Sequence, residues 1–398
     1  MMHFDESIER INRLEINNYK TKMLPLMASQ GYILAQDIIA DHNAPELPTS
    51  GMDGYALRHQ DLALGKLRIA SINPAGSDEK KCVTEGICIK TFTGSLMPEG
   101  ADTLIPIENV LVEGEEIIVQ EPVPLGFAVR EIGENYAKGE KLIAEGCKID
   151  FAQIGILASL NISEVTVYCK PRVAAISTGS ELLDLGEEQT NDAQIRSSNN
   201  YTIEAIIRKY GGEAIHHKNI KDDRESIFNA LSCALRENDI VVTTGGVSVG
   251  DFDFVKDVVY ELGCEIVFRG VRVKPGQHII VARKDDKFVV ALPGFAYSAT
   301  IMALVYLVPL IQKLQKSPLK LSRVKARLKE PFVKRAKKAE FTACNLSVEE
   351  GGYVVDFEGK KVGTSAILTN ILGNLALVYT AEDEQSREAG EGIEVILL

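Results

Sequence analysis

The 398-residue chain has no Cys-x-x-C pair among its seven cysteines, which removes the usual zinc and dithiol-redox readings. The cysteines, at positions 82, 88, 147, 169, 233, 264 and 344, are scattered and odd in number. They read as reduced residues, most of them in cores, and not as a disulfide framework. The six histidines, at 3, 42, 59, 216, 217 and 278, show no metal-ligand spacing. The adjacent pair His216–His217 would point to opposite faces of a strand. No apolar run reaches the ~18 residues of a membrane span, and the longest candidate, Ala299 to Leu310, reads as a buried helix. The first ten residues are acidic and amphipathic and lack a signal-peptide pattern, so the expected location is the cytoplasm. Basic charge is in deficit: 44 Lys and Arg stand against 56 Asp and Glu, a net charge of −12. That balance argues against general nucleic-acid binding, although a pocket can invert the sign locally. No Ser-His-Asp or Cys-His arrangement points to a covalent nucleophile.

What is present is ordinary for a soluble chain of two to four domains: 45% hydrophobic and 25% charged residues. Phe4 to Leu14 and Met23 to Ala28 read as helices, followed by a short strand within Ile33 to Ile39. Residues 46–139 alternate short apolar runs with turn-forming Asn, Gly and Pro, the pattern of a small all-β domain. Phe151 to Leu160 returns to helix after the N-cap candidate Asp150, so residues 1–45 with 140–169 form an N-terminal helical and linker domain. From 170 to 318 strands and helices alternate at crossover spacing, which predicts a doubly wound, mostly parallel α/β sheet. Residues 319–398 read as a C-terminal β-barrel-like domain. The stretch Lys320 to Lys338 carries nine Lys or Arg against the single acid Glu330. It reads first as a solvated strand pair, with a wall drawing anions toward a cleft as the alternative.

Ligands of such sheets sit beyond the C-terminal strand ends, and there the sequence places Thr243-Thr244-Gly245-Gly246-Val247-Ser248-Val249-Gly250-Asp251-Phe252-Asp253. A glycine-rich turn from strand to helix lets backbone N–H groups approach an anion. Asp251 and Asp253 suit a divalent cation that bridges phosphate oxygens. The loops at Ser177-Thr178-Gly179-Ser180-Glu181, Asp222-Asp223, Lys274-Pro275-Gly276 and Leu292-Pro293-Gly294 fall on the same edge. Five carboxylates (Glu181, Asp222, Asp223, Asp251, Asp253), the donors Gly245, Gly246 and Ser248, and the cation Lys274 would then converge, an assembly for Mg²⁺ and phosphate.

In order and spacing these motifs resemble those of the molybdopterin molybdenumtransferases, the MoeA family that includes the gephyrin E domain. The resemblance spans nearly the whole chain. Further carriers are Ser50-Gly51-Met52-Asp53-Gly54-Tyr55-Ala56 and Thr93-Gly94 with Pro98-Glu99-Gly100. It implies a cytoplasmic homodimer that inserts molybdate into adenylylated molybdopterin, releases AMP, uses Mg²⁺, and has other cofactor-biosynthesis proteins as partners. The implied cleft lies between the α/β domain of one subunit and the N-terminal parts of the other. By motif position, Asp53, Glu181, Asp253 and Lys274 are the implied catalytic residues. Thr93, Ser177, Thr178, Gly245, Gly246, Ser248, Gly250, Pro293 and Gly294 are implied to bind substrate, and Asp222, Asp223, Asp251 and Asp253 to hold the metal. The chain departs from the family pattern at Pro48, Asn135 and Ser197, where carboxylates are usual. It departs also at Gln277 and Ala343, where cations are usual, and at Ala296, where a proline is usual. A related chain weakened in this way could instead bind molybdopterin as a carrier or scaffold.

Overall fold

In the computed structural model, which describes residues 1–247, 254–318, 322–361 and 365–398, the apolar runs between Arg172 and Leu292 meet in one six-stranded sheet. Its strands are β1 (Arg172–Ser177), β2 (Glu213–His216), β3 (Ile240–Thr244), β4 (Glu265–Arg269), β5 (Ile280–Lys284) and β6 (Lys287–Leu292), in the spatial order β2-β1-β3-β6-β5-β4. β2, β1, β3 and β6 are parallel. β5 runs antiparallel to β6 and β4, so the sheet is mixed at one edge. Helices α1 (Asn199–Lys209), α2 (Arg224–Glu237), α3 (Val255–Glu261) and α4 (Ala296–Leu314) flank it.

Side chains alternate across the sheet. Val173, Ala175, Val242 and Val290 pack with Ile203 and Ile207 of α1 and with the apolar length of α4. Ala174, Ile176, Val241 and Val289 pack with Ile227 and Leu231 of α2 and with Val255 and Val258 of α3. Burial on both faces explains why these strands read as continuous apolar runs. α4 is long and apolar enough to cross a membrane, yet it is mostly buried inside the protein. Its Ala303–Leu307 stretch is π-helical, just ahead of Pro309, whose missing N–H interrupts the ordinary helical ladder.

The C-terminal part forms β7 (Arg323–Leu328), β8 (Ala339–Glu349), β9 (Gly352–Asp356), β10 (Leu375–Thr380) and β11 (Gly392–Leu397). Their order β8-β9-β7-β11-β10 closes through a β10–β8 pairing, which makes a five-stranded barrel. Leu328, Cys344, Val378 and Val395 fill its core, while Phe341, Leu377 and Tyr379 join the α/β core. The barrel and the α/β sheet belong to one compact unit, Met1–Ala35 with Gly146–Phe151 and Glu164–Leu398. That unit also takes in the helix Phe4–Arg13, which the sequence places in a separate N-terminal domain. Phe4 sits 5.2 Å from the Phe341 ring and 5.6 Å from that of Tyr379.

The second unit, Gln36–Glu145 with Ala152–Ser163, holds a sheet whose strands include Gly54–Leu57, Lys66–Asn73, Ile87–Thr91 and Thr103–Pro106. Tyr55, Leu67, Ile105 and Ile117 are among its core residues. It covers the expected small β domain.

Three local expectations are corrected. Met23 to Ala28 is not a helix: Thr21–Pro25 is a strand paired antiparallel with Glu164–Tyr168, and only Leu26–Ser29 winds, as a short 3₁₀ turn. Pro25 restricts Leu24 to extended backbone, which suits the strand, and Leu24 pairs with Val165. All seven cysteines are free, but only Cys88, Cys264 and Cys344 are buried. Among its described residues the basic run holds one strand, β7, rather than a strand pair.

Candidate functional site

Ser177, Thr244 and Leu292 stand side by side in the register of β1, β3 and β6. The three following loops therefore leave from one edge. Backbone bonds fasten them: Thr178 N–H donates to Thr244 O at 3.0 Å, and Gly245 N–H to Leu292 O at 3.1 Å. Glycine is required in the middle loop. Gly245 and Gly246 have φ of +94° and +64°, a region that side chains rarely adopt. A Cβ on Gly245 would lie 2.8 Å from Thr178 O, and one on Gly246 would lie 2.8 Å from Val255 Cγ2.

These loops form one wall of a cavity of about 940 Å³ whose other wall comes from the barrel. Thr178, Glu181, Asp222, Gly245, Gly246, Lys274, Pro293 and Gly294 all line it, so the structure brings these expected residues together. The hydroxyl of Thr178 is buried and has no hydrogen-bond partner among the described residues. A ligand oxygen would supply one. Lys274 is placed by the strand Val273–Lys274, which pairs in parallel with β8 and sets Lys274 opposite Glu340. Its ammonium lies 3.6 Å from the buried Glu340 carboxylate.

Two other expected residues of this unit, Ser177 and Asp223, do not line the cavity. Ser177 is fully buried, and its hydroxyl bonds to Asn200 Oδ1 at 2.7 Å and Thr244 Oγ1 at 2.8 Å. It ties the sheet to α1 and is corrected from ligand contact to wall. Asp223 caps α2 by accepting Ser226 N–H at 2.8 Å. The hydrogen bonds from Ser226 hold its carboxyl below the usual value. Of the Asp222-Asp223 pair, Asp222 alone faces the cavity, which corrects the metal role given to Asp223. Asp53 and Thr93 belong to the second unit. There Thr93 donates both its N–H (2.8 Å) and its hydroxyl (2.7 Å) to Asp53 Oδ1, which lowers the Asp53 pKa. Ser248, Gly250, Asp251 and Asp253 lie outside the described residues.

Sequence reasoning missed several lining groups. Arg335, Lys338 and Lys361 line the cavity from the C-terminal part, and Lys338 Nζ bonds Gln277 Oε1. The basic run thus supplies part of an anion-facing wall, the alternative that its charge left open. Among the described residues four cations (Lys274, Arg335, Lys338, Lys361) face three carboxylates (Glu181, Asp222, Glu340), one positive charge in excess in a chain of net charge −12. Tyr297 lies beneath this wall. Its hydroxyl accepts Ala343 N–H at 3.0 Å, and burial pushes its pKa up to about 12.

Among the described residues no group of three or more His, Cys, Asp or Glu side chains could hold a metal ion. The donors that face the cavity are nevertheless of the right kind for Mg²⁺. Glu181 and Asp222 offer hard oxygens, and Mg²⁺ is usually bound by one or two carboxylates together with substrate phosphates.

Comparison with known proteins bears on this geometry. Residues 2–161 match the family model described as the MoeA N-terminal region (domain I and II), and residues 174–313 match the probable molybdopterin binding domain. A molybdopterin molybdenumtransferase of Staphylococcus aureus strain Mu50 is 30% identical over 402 residues, covering 98% of this chain and 94% of that protein. One from a Nostoc species is 32% identical over 303 residues, covering 74% of this chain and 69% of the relative. Among solved structures, the molybdopterin biosynthesis MoeA protein of Pyrococcus horikoshii OT3 superposes with a TM-score of 0.85 at 27% identity, over 100% of both chains.

Proposed function

Because this chain belongs to the molybdopterin molybdenumtransferase (MoeA) family, we propose that it inserts molybdate into adenylylated molybdopterin and releases AMP. The observation that carries the proposal is the glycine turn at Gly245-Gly246 set beside the orphaned Thr178 hydroxyl on a cation-lined cavity. Two anions, the phosphates of the substrate and the molybdate, have to be held against each other. That task is orientation and charge stabilisation rather than covalent catalysis. The Gly245 and Gly246 turn and Thr178 supply hydrogen-bond donors to phosphate oxygens, and Lys274 supplies the cation for the incoming oxyanion.

Asp222 and Glu181 would hold Mg²⁺ together with Asp251 and Asp253. When bound, the ion neutralises phosphate charge and so favours departure of AMP. Glu340 fixes Lys274 in place. Asp53 and Thr93 are retained as functional candidates on the strength of the resemblance, and the protein is proposed to work as a cytoplasmic homodimer. In the test, the molybdenum content of the pterin product is measured for the wild type and for Asp253→Ala. The wild type should load the metal, and the variant should lose that activity while its thermal unfolding stays unchanged. An Asp253→Ala protein that loads metal as well as the wild type contradicts the site assignment.

A further inference from the structure

Among the described residues, three aromatic side chains, Phe295, Tyr297 and Phe341, line the cavity. Tyr297 and Phe341 are buried in the core at 8% and 2% exposure, so their rings are already covered. Phe295 is 60% exposed. An isolated exposed apolar side chain on a protein surface needs no explanation, but Phe295 stands on a cavity wall and its backbone is fixed on both sides. Asn199 Nδ2 donates to Gly294 O at 2.8 Å just before it, and Ser298 N–H donates to Ser365 O at 3.3 Å just after it. Its neighbour Gly294 lies beside the Gly245-Gly246 turn, where a Cβ would make ordinary contact at 3.5 Å with the Cα of Gly245. A ring held on a fixed backbone and left in water is a preformed apolar face.

The substrate proposed above has two flat heteroaromatic ends, a pterin and an adenine, joined through phosphate. The glycine turn and Lys274 account for the charged middle, and neither takes a ring. We propose that Phe295 is the platform on which a planar heteroaromatic ring of the substrate stacks. This inference rests on the transferase reading and adds to it a residue that selects flatness, since a phenyl ring offers no hydrogen bond to a ring edge.

The chain has no tryptophan, so Phe295→Trp places a single indole at this point. The full-length variant is titrated with AMP and, separately, with molybdopterin, while indole emission is followed. Wild type, Phe295→Ala and Phe295→Tyr are titrated by calorimetry with the same two ligands. Saturable quenching is expected with at least one of them: by AMP if the adenine stacks, by molybdopterin alone if the pterin does. Phe295→Ala should bind that ligand about tenfold more weakly, within the range that a base–aromatic stack contributes, and Phe295→Tyr should restore binding. If the wild type binds but Phe295→Ala binds equally well and the indole emission does not move, the platform is refuted while the transferase reading stands. If the wild type binds neither ligand, the transferase reading fails and this inference fails with it.

Discussion

Individual side chains carry the account's most local tests. Thr93 holds Asp53 through two hydrogen bonds, and the Asp53 carboxyl is lowered as a result. A folded-state pKa below the unfolded value of about 3.9 favours the folded protein above that value, and the benefit is lost as pH falls through the lower folded pKa. Thr93→Val removes the hydroxyl but keeps the N–H, so Asp53 should titrate at a higher pH. NMR of its carboxyl carbon would read this, and an unmoved titration would show that the hydroxyl bond contributes nothing. Tyr297 poses a different question. Tyr297→Phe leaves the buried Ala343 N–H without its acceptor, an omission that costs about 1–3 kcal/mol and is measurable by urea denaturation. The backbone N–H of Ala343 is engaged by the Tyr297 hydroxyl. That arrangement was not legible in the sequence, because position 297 gives no sign of which strand its hydroxyl will reach.

At the scale of loops and helices, the glycine turn and the neighbouring caps separate folding from function. Gly245→Ala puts a side chain at φ +94° and against Thr178 O. The conformation alone costs about 1–3 kcal/mol, so lowered stability and lost AMP release should appear together. Asp223→Ala should lower stability through the lost cap and leave Mg²⁺ affinity unchanged, whereas Asp222→Asn should weaken Mg²⁺ binding measured by calorimetry. Equal loss of Mg²⁺ from both variants would undo the division between cap and cavity. The three loop motifs were readable because strand–turn–helix chemistry is local. The Asp222-Asp223 choice was not, because either residue can precede a helix, and which one faces inward depends on how Ile220 bridges Thr178 at the end of β1. Met23 to Ala28 misled for a related reason: its apolar spacing suits a helix, but its partner is Glu164–Tyr168, more than a hundred residues away.

For the molecule as a whole, the motif order was enough to read the fold class, since short matches spread over the chain constrain one another. The role of the barrel was not readable. Lys274 reaches its place by pairing with β8, and Arg335, Lys338 and Lys361 join it only when the C-terminal part closes on the α/β sheet. Among the described residues the lining carries one positive charge in excess, in a protein of net charge −12. Long-range repulsion should therefore slow the approach of an anionic substrate, and short-range attraction should retain it. Raising ionic strength is expected to increase the association rate of AMP and to shorten its residence time in stopped-flow measurements. An association rate that falls with salt would mean that the cavity's field, not the overall charge, governs the encounter. The central claim is metal insertion itself, and its most direct test is AMP release from adenylylated molybdopterin by the purified protein with Mg²⁺ present. Release is expected to depend on added molybdate; tight binding of the substrate with no AMP released would contradict metal insertion and would mark the protein as a carrier.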